Sequence, residues 1–189
     1  MKEKIIETSI ELFDQKGFKE TSVQDIVEAI GVTKGTFYYY FKSKEELLKD
    51  ICLTYIEDLI RQQEEILEDP NQDCTAKLYD IVYMLIHNIK TQRRSARIFF
   101  REMRHLNELH LEEIKAKRKV FRENYQKLIE EGIGKREFKN HLNPDMLTFG
   151  ILGITNWSYY WFNPEGEVSE EKLTEIYMDL ILNGIKKSD

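Results

Sequence analysis

The sequence predicts an all-α chain. Apolar residues recur at helical spacing almost everywhere along its 189 residues, while strand-like runs are scarce and only three prolines occur. A hydrophobic share of 41% supplies material for a core and 33% charged residues keep the chain soluble, so disorder is not the default. At this length one large domain or two small ones can bury an adequate core without disulfide or metal.

The elements follow in order. Ile5, Ile6, Ser9, Ile10 and Phe13 form the face of a first helix, which Gly17 closes in a left-handed conformation. Thr21 or Ser22 caps a short second helix over 23–30, with Val23, Ile26, Val27 and Ile30 on one side, and Gly31 ends it. After a tight turn Thr33 caps a third helix, where Val32 can staple to Phe37. Ser43-Lys44-Glu45-Glu46 reads as a capping box that opens a helix to about Leu67, broken by Asp69-Pro70-Asn71. Further helices are predicted over 75–90, 94–105, 108–131, 144–162 and 170–187. Leu78, Ile81, Val82, Leu85, Ile86 and Ile89 form one apolar stripe, and Leu173, Ile176, Tyr177, Leu180, Ile181 and Ile185 another. Asn143-Pro144 is a cap followed by proline at the first helical position, where its missing N–H costs nothing.

Charge and cysteine usage narrow the function. A net charge of -6 argues against a protein that coats nucleic acid non-specifically, so any DNA contact must be local. Cys52 and Cys74 have no short-spaced partners and read as free thiols in a reducing compartment. Residues 1–13 mix charges with apolar residues and lack a signal-peptide core, so the expected location is the cytoplasm. Residues 146–164 carry no charge and approach the length of a membrane span. Thr148, Thr155, Asn156 and Ser158, with four aromatics crowded at one end, fit a buried or dimer-interface helix better, and no membrane partner is expected.

The informative run is Thr33-Lys34-Gly35-Thr36-Phe37-Tyr38-Tyr39-Tyr40-Phe41-Lys42-Ser43-Lys44. Glycine inside a helix costs roughly 1 kcal/mol relative to alanine, so Gly35 in the first turn needs a reason, and close approach to another surface is one. If this helix enters a major groove by its N-terminus, Thr33, Lys34 and Thr36 present donors to base edges and phosphates. The positive end of the helix favours phosphate. Tyr38 and Tyr39 can extend hydroxyls to the backbone while Phe37 and Phe41 anchor the opposite face. Lys34, Lys42 and Lys44 make a basic patch, and a lysine opening a helix opposes the macrodipole unless it meets a phosphate. Taken singly, the tyrosines could be a packed aromatic corner and the lysines a solvated surface; together their spacing is more specific.

Residues 5–48 resemble the DNA-binding domain of the TetR family of repressors. The resemblance rests on Gly17-Phe18, Thr21-Ser22-Val23-Gln24-Asp25-Ile26, Gly31-Val32-Thr33-Lys34-Gly35-Thr36, Phe37-Tyr38-Tyr39-Tyr40-Phe41 and Lys42-Ser43-Lys44-Glu45-Glu46-Leu47. It implies an all-α fold with a three-helix helix-turn-helix domain over 1–48, followed by a helical ligand-binding and dimerisation domain over 49–189. It further implies a homodimer on double-stranded, near-palindromic operator DNA that lets go when a small molecule binds. By position, Thr33, Lys34, Gly35 and Thr36 would contact DNA from the recognition helix, and Tyr38, Tyr39 and Lys44 would lie on phosphate. Thr21 and Tyr40 complete the set, Tyr40 standing where a histidine is frequent in the family.

In that family the last two helices form a four-helix bundle with the symmetry mate. Here Gly150 and Gly153 would allow close helix approach, with Ile176 and Leu180 on the partner helix. Arg93, Arg94, Arg97, Arg101 and Arg104, with Lys90 and only Glu102 as an acid, form a second unusual group. Arg93, Arg97 and Arg101 repeat at four-residue spacing, which costs a few tenths of a kcal/mol per like-charge pair unless neutralised. A phosphate or carboxylate ligand is one neutraliser, with Phe99, Phe100 and Met103 lining an apolar cavity beside it. Acids on the 108–131 helix are the other. The segment from Asn156 to Gly166, with Trp157, Tyr160 and Trp161, is similar to one in the acyl-coenzyme-A-responsive branch of the family. Acyl-CoA or another apolar ligand is therefore the expected effector, read by Arg97, Phe100, Arg101, Met103, Arg104, Asn156, Trp157, Tyr160 and Trp161; the alternative places those aromatics at a dimer seam.

Other functions fit less well. The four histidines include no zinc-protease pair, the cysteines lack metal-ligand spacing, and no phosphate-binding glycine loop, serine elbow or paired-carboxylate motif appears. Neither an enzyme nor a metal or cofactor site is expected. A helical protein-interaction module explains the apolar C-terminal pair but leaves Gly35 without a cause. A multidrug-sensing repressor, with a wide aromatic pocket and no need of the arginines, is the alternative within the same class.

Overall fold

The computed structural model describes residues 1–184 and is helical throughout, with no strand among the described residues. The first helix, α1 (Lys2–Lys16), ends at Gly17, whose N–H bonds to the Phe13 carbonyl. Gly17 has φ 88° and ψ 158°, so the chain leaves the helix through extended mirror-image backbone rather than the left-handed helical region. Helix α2 (Val23–Ile30) is capped by Ser22 and not Thr21: the serine accepts from Asp25 N–H while the Asp25 carboxylate accepts from Ser22 N–H. Gly31, at φ 78° and ψ 38°, takes the left-handed conformation that turns the chain into α3 (Lys34–Tyr40).

The long α4 (Lys44–Leu67) opens with Ser43 Oγ accepting from Glu46 N–H at 3.0 Å. Glu46 reaches back one residue further than a capping box requires, accepting from Lys42 N–H at 2.6 Å. Helix α5 (Cys74–Thr91) is capped by Asp73, so it starts one residue before the sequence-based boundary. Helix α6 (Arg93–Glu102) passes into a 3-10 turn over Met103–His105. Helix α7 (Glu108–Gly134) is followed by α8 (Pro144–Trp161), with Asn143 as cap and proline in the first turn, and α9 (Glu170–Asn183). The expected extension to Lys187, including Ile185, lies outside the described residues.

Two compact units form. One comprises Met1–Asp58 and Arg93–Arg118, the other Leu59–Gln92 and Lys119–Asp189. In the first, α1 packs on α2 and α6 and α2 packs on α3, around buried Ile5, Phe13, Ile26, Val27, Phe37, Phe41 and Phe99. In the second, α5 is central and packs against both α8 and α9. All six apolar stripe residues of α5 are buried, as their helical spacing requires. The stripe of α9 is divided: Leu173 is buried, whereas Ile176 and Leu180 face solvent. No described helix is long and apolar enough to cross a membrane.

Helix α7 runs three residues past its sequence-based end and then folds back on itself. Glu137 and Phe138 N–H groups both bond to the Gly132 carbonyl, and the Phe138 ring lies where a Gly132 side chain would be, 2.3 Å from its Cβ position. Gly132→Ala must displace that ring. It is expected to lower stability by roughly 1–3 kcal/mol, read as a shift in the urea midpoint with an unchanged slope.

Candidate nucleic-acid interface

Helix α3 is two turns long and its two sides differ. Phe37 and Phe41 point inward, fully buried, with ring centroids 5.8 Å apart. Tyr38, Tyr39 and Tyr40 stay in solvent, Tyr39 at 80% of its full exposure, and the Tyr39 and Tyr40 rings meet edge-on at 4.9 Å. At the N-terminus Thr33 Oγ1 accepts from Thr36 N–H and lies 3.2 Å from Thr36 Oγ1, which orients both hydroxyls at the open end of the helix. Thr33, Lys34 and Gly35 are exposed and Thr36 is half-buried. No acid occupies the first turn, so this end presents free N–H groups, the helix dipole and Lys34 together.

Gly35 is the distinctive residue of this surface. A Cβ built there meets only Thr33 Oγ1, at 3.5 Å, which is ordinary contact, and its φ is not positive. Neither backbone conformation nor packing within the chain demands glycine.

Two residues of the expected DNA-contacting set have their polar groups turned inward. The Thr21 side chain is fully buried, its hydroxyl donating to the Gly17 carbonyl at 2.8 Å. The Lys44 amine donates to the Phe18 and Thr21 carbonyls and sits 4.3 Å from the Phe18 ring centroid, and burial lowers its pKa. The Phe18 ring also stacks on His105, with ring centroids 5.6 Å apart. Lys44 and Thr21 therefore hold the loop that leads into the helix-turn-helix. Lys34 and Lys42 remain exposed.

Two of the four arginines of α6 find acids on α1. Arg94 pairs with Glu11 at 2.7 Å and Arg97 makes a two-pronged pair with Asp14. Acids on the 108–131 helix were the sequence-based partners. The usable signal was spacing, because Glu11 and Asp14 stand three residues apart, as do Arg94 and Arg97. Arg101 approaches Glu102 at 3.4 Å, and His105 Nε2 lies 3.3 Å from the same carboxylate. Phe100 and Met103 are half-buried and Arg104 is exposed.

The other expected effector residues lie on α8, in the second unit. Asn156 is half-buried, while Trp157, Tyr160 and Trp161 are exposed, Trp157 and Tyr160 with rings 5.0 Å apart. Met146, Gly150, Gly153, Trp157 and Tyr160 follow one another at three- and four-residue steps on the exposed side of α8. A Cβ at Gly150 or Gly153 would meet nothing within 4 Å. Both cysteines are free and buried, the Cys52 thiol pushed up to about 12 by burial and then by Glu102.

Residues 5–51 match the family described as bacterial regulatory proteins, tetR family, and residues 71–185 match the tetracyclin repressor-like C-terminal domain. The chain is 27% identical over 186 residues to the HTH-type transcriptional repressor KstR2 of Rhodococcus jostii, covering 96% of this chain and 89% of that protein. Its fold is similar to that of the TetR-family regulator PfmR of Thermus thermophilus, with TM-score 0.89 and 27% identity over 97% of this chain and 99% of PfmR. AibR, solved with isovaleryl coenzyme A and operator DNA, shares the fold at TM-score 0.85 and 21% identity, covering 96% of this chain and 97% of AibR. These relatives are regulators and not enzymes.

At the start of α4, Glu45 Oε1 accepts from Asn107 N–H at 2.8 Å and lies 2.9 Å from His110 Nδ1. The Asn107 backbone bond first, then His110, hold the Glu45 carboxyl below its usual range. A depressed carboxylate pKa contributes stability that is present above the unfolded value and lost as pH falls through the folded one. Glu45→Gln is therefore expected to be less stable than wild type at neutral pH, with the gap closing as the pH falls through and below the ordinary glutamate range, as followed by urea unfolding at a series of pH values. A gap that widens on acidification contradicts the assignment.

Proposed function

This chain belongs to the TetR family of bacterial regulatory proteins, and on that premise we propose that it is a repressor which binds a near-palindromic operator as a homodimer and is released by a small-molecule effector. The carrying observation is Gly35. The helix is weakened by a glycine that its own fold does not need, at the open end of a short helix whose polar face is free. A major-groove surface supplies the missing crowding. In this reading Thr33, Lys34 and Thr36 face bases and phosphates around Gly35, and Tyr38, Tyr39 and Tyr40 reach the backbone. Thr21 and Lys44 act from behind by fixing the loop over 17–21.

The same logic applies to α8. Gly150 and Gly153 sit without neighbours on a side flanked by exposed Met146, Phe149, Trp157 and Tyr160, and α9 adds Ile176 and Leu180. Apolar surface of this extent on two adjacent helices calls for a partner, and a second copy of α8 and α9 is the self-complementary one. We place Trp157, Tyr160 and Trp161 at that seam. For the effector, the AibR complex favours an acyl-coenzyme A, with another apolar molecule as the broader class. An anionic effector directed at Arg97 has to displace Asp14.

Fluorescence anisotropy against the chain's own upstream DNA and a scrambled duplex tests the DNA reading. Gly35→Ala is expected to raise the stability of the free protein by about 0.5–1 kcal/mol while weakening specific binding by roughly tenfold or more. Unaltered DNA affinity in a stabilised variant sinks the recognition-helix assignment. For the seam, Gly153→Arg is expected to convert a dimer to a monomer in light scattering, with unchanged helical content. A variant that stays dimeric moves the interface elsewhere.

A further inference from the structure

Among the described residues of the second unit, Gln72, Arg122 and Asn124, which are half-buried, and Gln63 and Tyr125, which are fully enclosed, each leave one buried polar side-chain atom without a partner. The other buried polar side chains are bonded. Thr148, Thr155, Ser158 and Thr174 each donate to the carbonyl four residues earlier. Lys77 donates to the Leu67 carbonyl, Asn88 bonds with Gln62 and Thr91, and Glu170 holds His87. Gln63 on α4 and Tyr125 on α7 differ. Both side chains have no exposed surface, yet Gln63 Oε1 and the Tyr125 hydroxyl have no hydrogen-bond partner within the chain. Such groups are costly to leave unmatched in a core, and natural folds rarely do so.

The two are held by common surroundings. Gln63 Nε2 donates to the Phe121 carbonyl at 3.1 Å, which commits the amide's donor end and leaves its oxygen as the free acceptor. Phe121 is one helical turn before Tyr125, and their rings meet edge-on at 5.6 Å. Burial raises the Tyr125 pKa, so its hydroxyl stays protonated and able to donate. The flanking Leu128 and Ile129 are buried and apolar, an environment that disfavours a charged ligand.

We propose that Gln63 and Tyr125 are the polar contacts of the effector site, taking an uncharged molecule with an apolar body and one end that carries both a hydrogen-bond donor and an acceptor. The ligand acceptor accepts a hydrogen bond from the Tyr125 hydroxyl, and the ligand donor donates to Gln63 Oε1. A primary amide, an alcohol or a protonated carboxylic acid meets both requirements, whereas an ester or thioester carbonyl meets only the first. The inference rests on the reading of this chain as an effector-responsive regulator, and within it selects the broader apolar class over an acyl-coenzyme A, whose thioester and charged phosphates do not suit these two groups.

The test is thermal unfolding of the full chain with octanamide, methyl octanoate and octanoate, at neutral pH and over a range of concentrations. Octanamide is expected to bind most tightly. Tyr125→Phe, which deletes only the unmatched oxygen, and Gln63→Leu, which also removes the bond to the Phe121 carbonyl, are each expected to weaken it about tenfold, while unliganded Tyr125→Phe unfolds at or above the wild-type temperature. The proposal is overturned if no probe stabilises the chain, if the ester binds as well as the amide, or if the variants bind octanamide like wild type. It is overturned equally if Tyr125→Phe alone unfolds earlier, because the hydroxyl is then bonded within the fold. Anisotropy of the same preparations with upstream DNA keeps the two readings apart: probe failure with intact DNA binding removes only this inference.

Discussion

A helix of seven residues does not hold itself in water, because its few hydrogen bonds do not offset the cost of nucleating it. Helix α3 exists because Phe37 and Phe41, four residues apart, are buried in the first unit. That anchorage frees the opposite side from any structural duty. Three tyrosines can remain in solvent there, and a glycine can be carried in the first turn, since stability is provided from the other face. The DNA-facing chemistry is thus affordable only because two aromatic side chains fix the helix.

The same division of labour extends outward from α3. Behind it, the loop over 17–21 is tied by the Thr21 hydroxyl and the Lys44 amine, both directed at main-chain carbonyls. The Phe18 ring in that loop contacts both the Lys44 amine and the His105 ring. On the far side of α1, Arg94 and Arg97 join α6 to Glu11 and Asp14. Polar groups that looked available in sequence are thereby used to position the recognition surface. The second unit shows the complementary pattern: α5 is buried on nearly every turn, and α8 and α9 pack on it with one side while leaving glycines and large apolar residues on the other.

The sequence alone determined what depends on neighbours within four residues. The helix-turn-helix boundaries, the Thr33 and Asn143 caps, the Gly31 turn and the α5 stripe were legible because helical spacing, side-chain capping and glycine torsion are local interactions. The capping residue at Ser22 rather than Thr21, and the reach of Glu46 to Lys42, were one-residue choices that the pattern left open. Tertiary structure decided where long side chains go. Lys44 and Arg97 have flexible stems whose charged ends seek the nearest acceptor, and those acceptors come from α1 and the 17–21 loop, tens of residues away in the chain. It likewise decided which α9 residues are buried, and that Gln63 and Tyr125 are enclosed with atoms unmatched, since burial is a property of the assembled helices and not of any one of them.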